Sequence, residues 1–327
     1  MADALRWGIL GTGGIAHSQT KDLLDNGFTV TAVGSRNQES AESFAAEFGI
    51  GTAHGSYEAL AADPEVDVIY VSTPHPFHAA NALLALDAGK HVLVEKSFTV
   101  TAADARAVVD RAAEKGLVVL EAMWTRWLPH MVRIREIIAA GTIGEVRLVI
   151  ADHNQKLPTD PAHRINNPEL AGGALLDLGI YPVSFAFDVL GTPSSVQATG
   201  SLSETGVDRS TAIIFGYESG AQALVQCALD IAGPNRAVIV GTEGRIELDT
   251  TWYVPTTFTV FDTESRQLEH FDQPVQSRGM QFQAWELERL AAEGSIAGEI
   301  LPPEQSVTIM ETLDEVRRQI GLRYPGE

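Results

Sequence analysis

A strand-length run, Leu5-Arg6-Trp7-Gly8-Ile9-Leu10, passes without a spacer into Gly11-Thr12-Gly13-Gly14-Ile15-Ala16 and then into helix-compatible residues as far as Asn26. No other feature of the chain restricts its fold as much. The order is G-x-G-x-x-A: the first glycine permits a tight turn, the second lets backbone approach a pyrophosphate, and Ala16 is small enough for a helix to pack on the sheet. The helix that follows offers unpaired N–H groups and the positive end of its dipole to phosphates. A plain glycine turn would account for the glycines alone. The strand before them and the helix after them point instead to a dinucleotide site at Gly11, Thr12, Gly13, Gly14 and Ile15.

The alternation continues. Phe28–Ser35 reads as the next strand, Glu39–Phe48 as a helix and Val66–Ser72 as a strand. A helix near His78–Ala88, a strand at His91–Val94, a helix at Ala102–Lys115 and a strand at Gly116–Leu120 follow. Thr101 and Asp104 have capping-box spacing at the start of the helix from Ala102. Alternating strands and helices imply a doubly wound parallel sheet covered on both faces. The second strand ends on Ser35-Arg36, about 20 residues beyond the glycine turn, where an enzyme using NAD would usually carry Asp or Glu for the ribose 2′-hydroxyl. A hydroxyl and a guanidinium suit a 2′-phosphate instead. NADP is therefore the expected cofactor, with NAD possible, although Arg36 could also be a solvated residue ahead of its helix.

Two further segments carry chemistry. Ala88-Gly89-Lys90-His91-Val92-Leu93-Val94-Glu95-Lys96-Ser97 ends an apolar strand on an adjacent carboxylate and ammonium, and in an open parallel sheet ligands lie beyond the carboxyl ends of the strands. In Gly172-Gly173-Ala174-Leu175-Leu176-Asp177-Leu178-Gly179-Ile180-Tyr181-Pro182, a helix would place Asp177 and Tyr181 on one face. Pro182 is comfortable only in a first turn, so the alternative is a helix starting near Leu178, with Asp177 as its cap and Tyr181 in the core.

From about Trp124 the pattern changes. Helices are expected at Leu128–Ala140 and within Leu175–Leu190. Eight strand-like runs are expected at Gly144–Asp152, Val196–Ser203, Arg209–Phe215, Gln222–Leu229, Ala237–Val240, Arg245–Leu248, Thr257–Phe261 and Gln267–His270. Short turns between them imply a mostly antiparallel sheet. Helices at Met280–Glu293 and Gln305–Ile320 close the chain. The domain reading is 1–123 for dinucleotide binding and 124–327 for substrate binding and oligomerisation.

With 43 acidic and 23 basic residues among 327, the net charge of −20 repels nucleic acid and anionic membranes. No apolar run is read as approaching the ~18 residues of a membrane span. The start, Met1-Ala2-Asp3-Ala4-Leu5-Arg6, lacks a signal peptide's blocks, so a cytoplasmic location is expected. The one cysteine, Cys227, lies in an apolar run and reads as core. His75 and His78 have a His-x-x-His spacing, but without an accompanying carboxylate or cysteine cluster no metal is expected.

Four segments together are similar to the glucose-fructose oxidoreductase, inositol dehydrogenase and rhizopine-catabolism (Gfo/Idh/MocA) superfamily: Gly11–Ala16, Ser72-Thr73-Pro74-His75-Pro76-Phe77-His78, Ala88–Lys96 and Gly172–Tyr181. Glu121-Ala122-Met123-Trp124-Thr125-Arg126 and Asp177-Leu178-Gly179-Ile180-Tyr181-Pro182, with Tyr where most of the superfamily has His, resemble more narrowly its dimeric dihydrodiol dehydrogenases and NADP-dependent xylose dehydrogenases. The resemblance implies an amino-terminal Rossmann domain, a carboxyl-terminal α+β domain with an open, mostly antiparallel sheet, and an active site between them. It implies Lys96 and Tyr181 as the catalytic pair, Glu95 orienting Lys96, and Asp177 orienting substrate or Tyr181. It also implies Thr73, Pro74 and His78 on the nicotinamide side. Trp124, Arg126 and Trp127 read as walls of the substrate pocket, the alternative being that aromatics after a strand belong to the core. A phenol with pKa near 10 is a poor base at neutrality, and a nearby ammonium favours its phenolate. Ser97 stands where the family usually has proline, which is expected to leave a looser backbone beside Lys96.

The resemblance implies hydride transfer between NADP and a pyranose or cyclic trans-diol. The alternatives are a dinucleotide-binding regulator without turnover, or a glycosidase of the same superfamily holding NAD. A homodimer through the second sheet, possibly paired into a tetramer, is expected because too few helices remain to cover both faces of that sheet.

Overall fold

In the computed structural model, which describes residues 5–326, the chain forms two compact units: Met1–Trp124 with Ser277–Val307, and Thr125–Gln276 with Thr308–Glu327. The first is built on β1 (Arg6–Leu10), β2 (Thr29–Gly34), β3 (Thr52–His54), β4 (Val68–Val71), β5 (His91–Glu95) and β6 (Val119–Ala122). These strands pair in parallel in the order β3-β2-β1-β4-β5-β6. The order reverses between β1 and β4, and a ligand crevice opens beyond the carboxyl ends of the strands at such a switch point. Helices α1 (Gly14–Asp25), α2 (Gln38–Phe48), α3 (Tyr57–Ala61), α4 (His78–Asp87) and α5 (Ala102–Lys115) make the crossovers. The capping box holds: Thr101 Oγ1 accepts from the Asp104 N–H at 3.1 Å, and α5 ends on Gly116 with φ of 65°. The short β3 and α3 are absent from the sequence reading, being too brief to show a period.

The second unit contains α6 (Pro129–Ala139), β7 (Val146–Asn154), a π-helical turn at Leu175–Gly179 running directly into α7 (Ile180–Leu190), and β8 (Ser195–Leu202). It continues through β9 (Asp208–Gly216), β10 (Gln222–Ala228), β11 (Ala237–Gly241), β12 (Gly244–Leu248), β13 (Phe258–Asp262) and β14 (Gln267–Phe271). The sheet order is β14-β13-β12-β11-β7-β10-β9-β8. Only β7 and β10 pair in parallel, so the expected mostly antiparallel sheet is present, and each of the eight expected strands lies within a few residues of an observed one. On β9, Thr211, Ile213 and Phe215 are buried, whereas Arg209, Ala212 and Ile214 are exposed, the alternation of a sheet with one covered face.

Two readings require correction. The carboxyl-terminal helices are α8 (Gln281–Glu293) and α9 (Pro303–Ile320), and the 123/124 boundary would leave α8 in the second domain. Its Ala284, Leu287 and Leu290 instead complete the first unit's core with Trp7, Ile9, Val33, Tyr70, Leu93 and Leu120. The Asp22 carboxylate on α1 accepts the Met280 N–H at 2.8 Å and the Arg278 N–H at 3.1 Å, supplying the cap that the helix's own sequence lacks. Second, the helical stretch Pro168–Leu190 is long and apolar enough to cross a membrane by length and composition, and 89% of its apolar window is buried inside the protein. That stretch is apolar all round because it forms the second unit's core.

Candidate active site

At the carboxyl edge of the first sheet, Gly11 has φ of 108°, and a side chain on it would meet Ser72 Oγ, so only glycine serves there. Gly13 caps α1 with no side-chain hydrogen bond, and the first turn of α1 carries no acidic residue. A Cβ added to Gly13 or Gly14 would meet nothing within 4 Å. An open space thus faces a helix N-terminus whose positive end is not neutralised, which fits the pyrophosphate of a dinucleotide; Thr12 and Ile15 flank it. Ser35, buried at the end of β2, donates its N–H to His54 O at 3.0 Å. Arg36 beside it is exposed and, among the described residues, makes no hydrogen bond or ion pair of its own. That leaves a hydroxyl and an unspent guanidinium for a 2′-phosphate.

Further along this edge Glu95 ends β5, 4% exposed, with the Tyr70 hydroxyl donating to its Oε1 and the Lys96 N–H to its Oε2 at 3.3 Å. Lys96 is half-buried. The segment after it is pinned rather than loose. His75 Nε2 meets Lys96 O at 3.2 Å, His78 Nδ1 meets Ser97 O at 2.9 Å, and the Phe98 N–H donates to Glu121 Oε1 at 3.1 Å. Ser97 is fully buried, and the Lys96–Ser97 peptide is cis. The looser backbone expected from losing the proline is not found, because neighbouring side chains supply the restraint. His78 is fully enclosed, its Nε2 2.7 Å from Thr73 O, so it ties the β4 and β5 ends together rather than lining a cofactor. Burial first, and the Lys96 charge in addition, hold its pKa below the ordinary histidine value. Thr73 Oγ1 accepts from Asn81 Nδ2 at 3.1 Å, while Pro74 is exposed. Among the described residues no group of three or more His, Cys, Asp or Glu side chains could hold a metal ion.

In the second unit Tyr181 is the second residue of α7 and 8% exposed. Asp177 is not a cap: it lies inside the π-turn, where the Ile180 N–H reaches back to Leu175 O. The widened turn relieves the clash that Pro182 would make with the carbonyl four residues earlier. The Asp177 carboxylate accepts from Arg164 Nη1 at 3.2 Å. The Tyr181 ring is edge-on to His153, centroids 5.0 Å apart, and 5.4 Å from Tyr253, which stacks on His153 at 3.7 Å. Gln155 Nε2 donates to His153 Nε2 at 2.8 Å and reaches the Tyr253 hydroxyl at 3.5 Å. Burial above all, with Tyr181 and Asp152 adding to it, pushes the Tyr253 phenol up to about 12. Gly173, with φ of 120°, packs against Asp208, whose Oδ2 accepts the Leu175 N–H at 2.8 Å and so holds the start of this helical segment.

Arg126 is not a pocket wall. It is 2% exposed; Nε donates to Ser184 Oγ and Nη1 to Asp188 Oδ1, both at 2.9 Å, and both partners lie on α7. Trp124 and Trp127 flank it, 4% and 5% exposed, and the Arg278 guanidinium lies 5.8 Å from the Trp124 ring centre. The sequence reading missed His153, Gln155, Tyr253 and Arg164.

Residues 5–123 match the profile of the oxidoreductase family with an NAD-binding Rossmann fold, and residues 131–247 that of the GFO/IDH/MocA C-terminal domain. The chain belongs to the Gfo/Idh/MocA family. Among family members, it is 38% identical to the D-xylose 1-dehydrogenase (NADP(+)) of Hypocrea jecorina, over 98% of this chain and 93% of that one. It is 36% identical to the trans-1,2-dihydrobenzene-1,2-diol dehydrogenase of Mus musculus, over 99% of both. The solved structure of KijD10, a 3-ketoreductase from Actinomadura kijaniata in complex with NADP and TDP-benzene, superposes with a TM-score of 0.86 at 26% identity, covering 97% of this chain and 98% of that one.

Proposed function

We propose that the protein is an NADP-dependent dehydrogenase oxidising a ring CH–OH group of a sugar or cyclic diol, with Tyr181 as proton acceptor and Lys96 as its cationic catalytic partner. What carries the reading is the phenol of Tyr181, enclosed by His153 and Tyr253 one turn beyond Asp177, in a chain that also ends β5 on Glu95-Lys96. Oxidation of a carbinol removes a hydride from carbon and a proton from oxygen, leaving a carbonyl. NADP+, when bound, takes up the hydride. The chain's own task is the proton, and two phenols side by side divide it. Burial keeps Tyr253 neutral, so it stays a donor; the acceptor role falls to Tyr181 on the reading that the Lys96 ammonium is its partner and favours its phenolate. Asp177, anchored by Arg164, orients the substrate hydroxyls. Gly11–Ile15 hold the pyrophosphate, and Ser35 with Arg36 the 2′-phosphate.

We also infer a homodimer through the outer face of the second sheet. Ile214, Leu224, Ile150 and Val238 are register partners in one row across β9, β10, β7 and β11, with Gln197 and Glu247 at its ends. Ile150, Ile214 and Leu224 are 43%, 45% and 40% exposed. An apolar centre with polar ends fits a second copy under two-fold symmetry. A cytoplasmic location is in keeping with the lone buried thiol of Cys227. The test is NADPH formation from D-xylose, D-glucose, myo-inositol and a trans-dihydrodiol. No turnover with any of them would overturn the assignment.

A further inference from the structure

The groups around Tyr181 are aromatic in body and polar at the tip. Tyr253 is fixed on both sides: its carbonyl accepts from Thr125 Oγ1 at 2.7 Å, and its neighbour Trp252 donates Nε1–H to Asp152 O at 2.8 Å. Its ring lies flat on His153, with 25° between the planes. These contacts hold the ring beside that of Tyr181, with the two centroids 5.4 Å apart. Gln155 spends its amide N–H groups on His153 and on the Tyr253 oxygen, so the Tyr253 O–H proton and the Gln155 Oε1 lone pairs are the capacity the pair has left. We propose that Tyr253 and Gln155 select a ring bearing hydroxyls on several adjacent carbons, an aldopyranose, over a ring whose far side is hydrocarbon.

This rests on Tyr181 being the proton acceptor, since that places the reacting hydroxyl beside these tips. A polyol offers each tip a partner in exchange for the water it gives up. A dihydrodiol's hydrocarbon edge removes the water and returns nothing, and polar groups so stranded disfavour the ligand. The asymmetry is large by nature: sites built to bond a hydroxyl reject analogues lacking it far more strongly than apolar pockets reject an added one. The Tyr253 phenol, with its pKa pushed up to about 12, keeps its donor proton across the working range.

The experiment compares kcat/KM for D-xylose and for trans-1,2-dihydrobenzene-1,2-diol in the parent protein, Tyr253→Phe and Gln155→Leu. NADP affinity is read in parallel by titration. Tyr253→Phe keeps the stacked ring and removes only the hydroxyl, and Gln155→Leu probes the same selection from another element should the first variant fold poorly. The parent should favour the pentose at least about tenfold, and each variant should shrink that ratio at least about tenfold with NADP affinity unchanged. A parent that prefers the diol, or a ratio unmoved in both variants, overturns the selection while leaving the catalytic reading intact. A parent that oxidises neither of these nor D-glucose nor myo-inositol overturns both.

Discussion

Changing Arg126 to Met keeps the buried stem and deletes the guanidinium, which separates a residue that props α7 from one that touches substrate. The side chain is 2% exposed and donates to Ser184 Oγ and Asp188 Oδ1, both at 2.9 Å. Breaking a buried ion pair from one side costs about 3–5 kcal/mol when the other charge is left uncompensated. Here Asp188 retains Arg135, whose Nη1 lies 2.8 Å from Oδ2, and Met refills part of the volume. The net loss should therefore be about 2–3 kcal/mol, most of it the charge-assisted bond and the stranded Ser184 hydroxyl. In a domain of this class each kcal/mol lowers Tm by about 2–4 °C, so a drop of about 4–12 °C is expected in a thermal scan at fixed NADP concentration. The KM for the alcohol should change by less than about threefold, because no ground-state contact is lost. A variant with unchanged Tm and a KM raised about tenfold or more would refute this account and restore Arg126 to the pocket wall.

Tyr181→Phe and Lys96→Ala should each lower kcat by about 10²-fold or more with NADP affinity retained; full turnover by Tyr181→Phe would make the ring a packing residue. NADP should bind at least about tenfold tighter than NAD, roughly 1.4 kcal/mol, and Arg36→Ala should erase most of that gap in a titration; equal affinities in the parent would refute the assignment. His130, near Trp252 O, has its pKa lowered to about 4, chiefly by burial. Against an unfolded value near 6.5, the unfolded chain binds the extra proton in between, so stability is whole above about pH 6.5 and falls by about 3 kcal/mol towards pH 4. His130→Gln should flatten that limb of the Tm–pH curve, and identical slopes would count against the linkage. Ile150→Lys should turn a dimer into a monomer by light scattering, and a parent that is already a 35 kDa monomer at micromolar concentration would exclude the sheet contact.

What the sequence disclosed and what it concealed divide along the range of the interaction. The Gly11–Ala16 turn, the Thr101–Asp104 box and the strand ending on Glu95-Lys96 are settled within a few residues, by sterics and hydrogen bonding that any window of the chain contains. Arg126 was misread because its partner Asp188 lies 62 residues on, and nothing local says that a guanidinium after a strand is already spent. Of the two alternatives open for Asp177, the cap rests on Pro182 forbidding an ordinary turn; a π-turn escapes that prohibition, and single-residue propensities do not describe it. His153 and Tyr253 meet from positions 153 and 253, so their stacking is beyond any local pattern. Yet one half of that pair was readable. Asp152-His153-Asn154-Gln155 closes the apolar run Leu148–Ala151 with polar residues, as Glu95-Lys96 closes Val92–Val94. A strand that leaves its apolar core gives its polar end to solvent or to a site, which makes such an end a candidate in the sequence; the structure then decides for His153, whose 2% exposure excludes solvent. Applied to both strand ends, the same physical rule puts His153 and Gln155 among the candidates beside Lys96.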